Sequence, residues 1–186
     1  MKLKHLITTL RHKWYVLVAG RRLRAPLWRL LKHDLSKFSP VEFGAYARQF
    51  HGDKGDPAGF TLAWLDHQNR NSHHWEHWVS RDGNIRLRLV ATDVGMPLLV
   101  PDNGPMPMDY VPIATVPSVT VIPMPMACVR EMVADWFAAG KVYAGAWPDP
   151  ANYTWYKQNR GRMHLHPDTE MRIDLVLAEA ATWSWK

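Results

Sequence analysis

Cysteine is nearly absent from this chain: Cys128 is the only one in 186 residues. A single thiol excludes a disulfide framework and a thiolate metal cage, and it fits a reducing, cytoplasmic compartment. Long apolar runs are missing too. The longest piece, Trp14 to Gly20, is bounded by Arg11-His12-Lys13 and by Arg21-Arg22. It is too short for a signal-peptide core or a membrane span, so the basic opening Met1-Lys2-Leu3-Lys4 is not read as a signal and no membrane partner is expected. No internal repeat or low-complexity segment is present. Acidic residues are outnumbered, 17 against 23 Lys and Arg, for a net charge of +6. That balance favours anionic partners: phosphate-bearing small molecules first, nucleic acid as a further option. At 47% hydrophobic residues the chain is long and apolar enough for one globular domain over 1–186.

What the sequence does contain is an adjacent His33-Asp34 pair in an apolar stretch, Leu30 through Phe38. Two polar, metal-competent side chains in that setting cost free energy unless something satisfies them, and a cation would. Around this pair the periodicity predicts mostly helix. Residues 3–24 form one amphipathic helix with Leu3, Leu6, Ile7, Leu10, Trp14, Leu17 and Val18 as its apolar face and His5, Thr9, His12 and Val16 as a second stripe. A second helix spans 26–38, and Ser39-Pro40-Val41-Glu42 reads as a capping box opening a third over 40–50. A fourth, over 60–79, carries His67, Arg70, Asn71, His74 and Trp78 on one face, with His73 pointing away. His67 and His74 are then two turns apart. Either one is a ligand and the other meets phosphate, or they serve two metals.

Prolines from Pro97 to Pro117 break the helical pattern, and Ile85–Leu89 alternates with period two, as Ser118–Val121 does less cleanly. A small β-rich insertion over about 80–123 follows, with a lid, an oligomer contact or decoration as its role. Helices over 125–139, ended by Gly140, and near 151–160 and 168–183 complete an all-α fold. Asp135, among Met132, Val133, Trp136 and Phe137, is a carboxylate expected to be paired or ligated, with Glu131 one turn earlier. The ordered set His12, His33, Asp34, His67, His74 and Asp135 mixes imidazole with carboxylate, which suits one or two divalent transition metals, Mn, Co, Fe, Ni or Zn.

With this order in place, the chain resembles the HD-domain metal-dependent phosphohydrolase superfamily, whose ligand pattern H…HD…D is carried here by His12, His33-Asp34 and Asp135. It is similar in more detail to a small uncharacterised subfamily of phages and bacteria. His33 through Phe43 matches its HDLSKxSPxEF, His67 through Trp78 its HxxRNxHHxxxW, and Glu131 through Asp135 its EMxxD. Lys141-x-Tyr143-x-Gly145 and His166-Pro167-x-Thr169 are shared as well. The resemblance implies an HD-like helical bundle and hydrolysis of a nucleotide or related phosphate ester through a metal-activated water, in the cytoplasm (the host's, for a phage protein). It implies Lys37, Arg70, Asn71, His73, Lys141, Tyr143 and His166 as phosphate or substrate contacts. Where nucleotidases of the superfamily often carry a glutamate shortly after HD, this chain has Lys37, so the catalytic set is Asp34, Lys37 and Glu131 with the base open between the two acids. The alternatives are a non-catalytic nucleotide or nucleic-acid binder and a di-iron HD-type oxygenase. An oligomer remains an option.

Overall fold

Small residues and histidines, not the bulkiest apolar ones, face inward on the first helix, α1 (Lys2–Arg22). Its buried positions are His5, Thr9, His12, Val16, Ala19 and Gly20. Leu3, Ile7, Leu10 and Trp14 stand 69%, 49%, 52% and 61% exposed. The expected apolar face is therefore the outer one, and the stripe beside it is the inner one. The reason is close approach. A Cβ on Gly20 would stand 2.3 Å from the Leu30 side chain, so only a glycine lets Leu30 pack there.

The computed structural model describes residues 1–90, 98–101 and 114–185, with side chains described outside 81–90, 98–101 and 114–118. The chain divides into two compact units, Met1–Trp78 with Ile122–Lys186, and Val79–Val121. The first is helical: α1, α2 (Leu27–Lys32), α3 (Pro40–His51), α4 (Pro57–Arg70), α5 (Met126–Ala144), α6 (Thr154–Asn159) and α7 (Pro167–Ala181), with 3₁₀ turns at Leu35–Phe38, Trp75–Trp78 and Arg160–Arg162. The long helix α5 is central, burying Cys128, Val129, Met132, Val133, Ala134, Phe137 and Ala138. Its core takes Val16 and Ala19 from α1 and Leu23 just after it, Leu30 from α2, and Ile173, Val176 and Ala180 from α7. Burying a side chain of this size contributes roughly 1.5–3 kcal/mol. A smaller cluster, Ala45, Tyr46 and Ala63 with Phe60 and Trp64, joins α3 to α4.

Three predicted boundaries move. The 26–38 helix breaks after Lys32, because Asp34 adopts a left-handed backbone (φ 56, ψ 21) and a 3₁₀ turn follows. The 60–79 helix stops at Arg70, where the Asn71 amide donates to the His67 carbonyl at 2.8 Å. Gly140 does not end α5, which runs on to Gly145 at φ 77.

The second unit is a three-stranded antiparallel sheet in the order β2-β1-β3, from β1 (Val79–Val90), β2 (Leu98–Pro101) and β3 (Ala114–Val121). Val79 pairs with Val121 and Val90 with Leu98. Pro97, Pro105, Pro107 and Pro112 lie outside the described residues. No helix among the described residues is long and apolar enough to cross a membrane.

Candidate metal centre

Asp34 is the hub, and its backbone explains why. In an unbroken helix, side chains of adjacent residues point about 100° apart. The left-handed turn at Asp34 cancels that divergence, so His33 and Asp34 both reach inward, each 1% exposed. The Lys13 ammonium donates to the His33 carbonyl, one of the carbonyls left without an intrahelical partner where α2 stops.

Two groups of donors meet on either side of this carboxylate. On one side Asp34 Oδ2 faces His33 Nε2 at 3.4 Å and His12 Nε2 at 3.8 Å. Asp135 Oδ1 closes that side at 2.8 Å from His12 Nε2 and 3.6 Å from His33 Nε2. On the other side Asp34 Oδ1 faces His67 Nε2 at 3.3 Å and His73 Nε2 at 3.5 Å. His74 completes this group: one ligand atom from each of Asp34, His67, His73 and His74 lies within 4.8 Å of the others. The set His12, His33 and Asp135 meets the same condition. Around a cation at ~2.1 Å, neighbouring ligand atoms stand about 3.0–3.4 Å apart, close to most of these separations. The Nε2 atoms of His12, His33, His67, His73 and His74, and Asp34 Oδ1, are buried without a hydrogen-bond partner. Each such orphan costs about 1–3 kcal/mol, and a shared cation satisfies them together.

Nδ1 of three of these rings has a carboxylate beside it. His67 Nδ1–H donates to Glu42 Oε2 at 2.7 Å, and His33 Nδ1–H to Glu131 Oε1 at 3.0 Å. His73 Nδ1 lies 3.3 Å from that same Glu131 oxygen. Glu131 Oε2 accepts from Arg29 Nε at 2.6 Å, and Arg29 donates onward to Ser72 Oγ at 2.9 Å. A carboxylate on Nδ1 fixes the tautomer that presents the Nε2 lone pair inward, the arrangement that metal-binding histidines use. Trp64 walls the group, stacked on His67 and edge-on to His74.

Burial alone would raise Asp34. The charges of His33 and Lys37 reverse this and hold it well below the carboxylate range. Asp135 is likewise opposed by burial and held low by the His12 and His33 rings beside it. Glu131, pushed up by burial, is brought down to about 2 by His33 and His73. His33 is disfavoured as a cation by burial, but Asp34 and then Asp135 carry it well above its ordinary value. Burial, then the neighbouring rings, lower His73 and, further, His74 from the ordinary histidine value. Burial pushes the Lys37 ammonium down and Asp34 more than restores it, through a 2.6 Å hydrogen bond to Oδ2. A bound cation would displace the proton that His33 otherwise carries.

Among the predicted metal ligands, His12, His33, Asp34, His67, His74 and Asp135 come together, and His73 joins them. The predicted distance between His67 and His74 does not hold, because α4 ends between them. Their rings are 4.8 Å apart, and His73, expected to point away and to contact substrate, reaches Asp34 Oδ1 at 3.5 Å because the chain leaves the helix at Asn71. The predicted substrate contacts disperse. Lys37 stays at the centre. Asn71 ties Ser36 Oγ (2.8 Å) to the end of α4. Arg70 is exposed and paired with Asp66 at 3.2 Å. It lines a cavity of about 140 Å³ with Arg29 and Lys32, on the Glu131 side of His33 and His73. Lys141 caps α5 through the Gly145 carbonyl, and His166 caps α7 by accepting from the Asp168 N–H, so neither joins the centre. Tyr143 is 71% exposed on α5. Glu131, expected among the catalytic residues, has both oxygens engaged at the edge of the centre, one by histidines and the other by Arg29.

Glu42 went unseen in sequence. Ser39-x-x-Glu42 has the pattern of a capping box, and Ser39 Oγ does accept from the Glu42 N–H. The Glu42 side chain, however, is fully buried on His67. Its one signal is its setting among Val41, Phe43, Ala45 and Tyr46.

A family model described as a family of unknown function, DUF5662, matches residues 1–179, and the chain belongs to that family. No curated protein and no solved structure matches the chain.

Proposed function

We propose that this protein is a metal-dependent phosphohydrolase acting on a nucleotide or related phosphate ester. The observation that carries the reading is the convergence of five unpartnered imidazole nitrogens on Asp34, with Asp135 closing one side. The resemblance of the His12, His33-Asp34 and Asp135 order to HD-domain enzymes supports it. His12, His33, Asp34 and Asp135 would hold one divalent transition metal, and Asp34, His67, His73 and His74 a second. A cation held this way supplies Lewis acidity toward a phosphoryl oxygen and lowers the pKa of water.

The chain's own groups supply the rest. Lys37, 18% exposed at Asp34, is the ammonium placed to meet a phosphoryl oxygen and the charge that develops on it. Asp135, 17% exposed against 1% for Asp34, has the more open edge and is the better placed of the two to take a proton from water. Glu131 and Glu42 keep the ligand rings in orientation. Trp64 excludes water from one wall.

A second reading has its own observation. Asp34 stands between two donor groups, an arrangement that also suits two irons and oxygen chemistry. Metal analysis with a phosphate-release screen over nucleotides in Mn, Co, Ni, Zn and Fe separates the two. Hydrolysis that is lost in Asp135→Asn and in Lys37→Ala supports the proposal. Oxygen consumption by an iron-loaded protein without phosphate release refutes it.

A further inference from the structure

Beyond Asp135, α5 runs along a cavity that the metal centre does not use. Asp135, Ala139 and Tyr143 follow one another at i, i+4 and i+8, so they lie along one side of the helix over about 12 Å. Ala139 and Tyr143 line a cavity of about 750 Å³, a volume within the range of small-molecule sites. Its far wall is built by the return of the chain after α5. Gly145 ends the helix in a left-handed turn, and the Pro148 ring comes back against Gly140. A Cβ at Gly140 would stand 2.7 Å from that ring, so glycine is what lets this wall close.

The lining is chiefly aromatic: Trp136, Trp147, Trp155, Tyr143 and Tyr153. Trp155 and Tyr143 are 44% and 71% exposed, so large ring surfaces remain uncovered. None of the three indole N–H groups has a hydrogen-bond partner among the described residues. The rings brace one another, Trp136 with Trp155 at 5.2 Å and Trp147 with Tyr15 at 5.5 Å. Asp149, Asn152 and Thr154 add polar groups. After burial, the Asp135 charge is what raises the Tyr153 phenol, and it also acts on Tyr143 beside Lys37. Trp136 of the lining follows Asp135 directly and Ala139 lies one turn beyond it on the same side of α5, so the cavity begins beside the metal centre's open edge.

We propose that this cavity between α5, the Gly145–Pro150 return and the start of α6 binds the planar heteroaromatic ring of the substrate, a nucleobase or an equivalent. The inference rests on the hydrolase reading for its role, and on the cavity alone for its existence. Stacking on aromatic side chains recognises any base through its π-face, and polar groups at one side orient its edge. The phosphate of the same molecule then lies along α5 toward Asp135 and Lys37.

The test uses the full-length protein. Calorimetric titration with adenosine, guanosine, cytidine and uridine is compared with ribose, which has no aromatic ring. Saturable binding of at least one nucleoside, with none of ribose, is expected. Trp155→Ala should weaken that binding by about five- to a hundredfold. Tyr143→Ser, at a more exposed position, serves as the second variant if the first fails to fold. Metal content should equal the wild-type value in both. No nucleoside binding up to millimolar concentration, or equal binding in both folded variants, overturns the proposal. Phosphate release from glycerol phosphate as efficient as from nucleotides overturns it too and leaves the hydrolase standing. Nucleoside binding that Trp155→Ala removes upholds the ring site even where no phosphate is released, and then it is the hydrolase reading that fails.

Discussion

Glu42 is the residue whose replacement tests the design of the centre most closely short of removing a ligand. It is fully buried and accepts from His67 Nδ1–H at 2.7 Å. Glu42→Gln keeps the volume and an acceptor oxygen but removes the charge that orients the ring and makes its Nε2 a stronger donor. Partners of this kind are worth about 10- to 100-fold in metal affinity. At saturating metal that factor is about 1.4–2.7 kcal/mol of binding linkage. For a chain of this size, 1 kcal/mol corresponds to about 2–4 °C in Tm. The increment in Tm that added Mn or Zn produces should therefore shrink by about 3–10 °C in Glu42→Gln. The assay is thermal unfolding with and without metal, beside a chelator competition titration. A purely structural glutamate would lower Tm equally in both conditions. An unchanged metal increment and an unchanged affinity would refute the role given to Glu42.

Two other expectations concern the helical unit away from the centre. His5 is buried against Phe43, Tyr46 and His51, and burial followed by the His51 and Lys37 charges depresses its pKa to about 4. A depressed histidine stabilises the fold above its unfolded value near 6.5, and that contribution is lost as pH falls toward 4. Between pH 7.5 and 5 the loss is about 2 kcal/mol, so urea unfolding of metal-free His5→Gln should vary less with pH over that interval than wild type; equal slopes would contradict this. On α1, Leu10→Ser should change stability by no more than about 0.5 kcal/mol, because Leu10 is half exposed, whereas Val16→Ala should cost about 2 kcal/mol. Reversed costs in denaturant titrations would mean that the outer stripe is the packed one.

The helical class was legible because helix-period patterns and capping residues recur through most of the chain. The β character of the insertion was legible from period-two alternation and prolines. At the site, His33-Asp34 and Asp135 stood out because polar ligating groups in apolar helical stretches need partners. What was not legible were the places where one side chain redirects the backbone. Asn71 ends α4 by donating to His67, and only that turn sends His73 and His74 to the same cluster. Extrapolating the helix past Asn71 sets His74 two turns from His67 and points His73 away. The inner face of α1 was misjudged for a related reason: ranking stripes by hydrophobicity favours Leu3, Ile7, Leu10 and Trp14, while close approach around Gly20 and the need of His12 for the site favour the other. Lys141 and His166 have the chemistry of substrate ligands but are used as helix caps, and spacing alone cannot tell these roles apart.

The central claim is that the cluster around Asp34 is a metal site. Its most direct test is the metal content of protein purified without chelators, by elemental analysis, for wild type and for the double variant His33→Ala with Asp34→Ala. Because Asp34 belongs to both donor groups and His33 to one, the account predicts about one or two transition-metal ions per wild-type chain and none held stoichiometrically by the variant. Stoichiometric metal that survives the double substitution would contradict it.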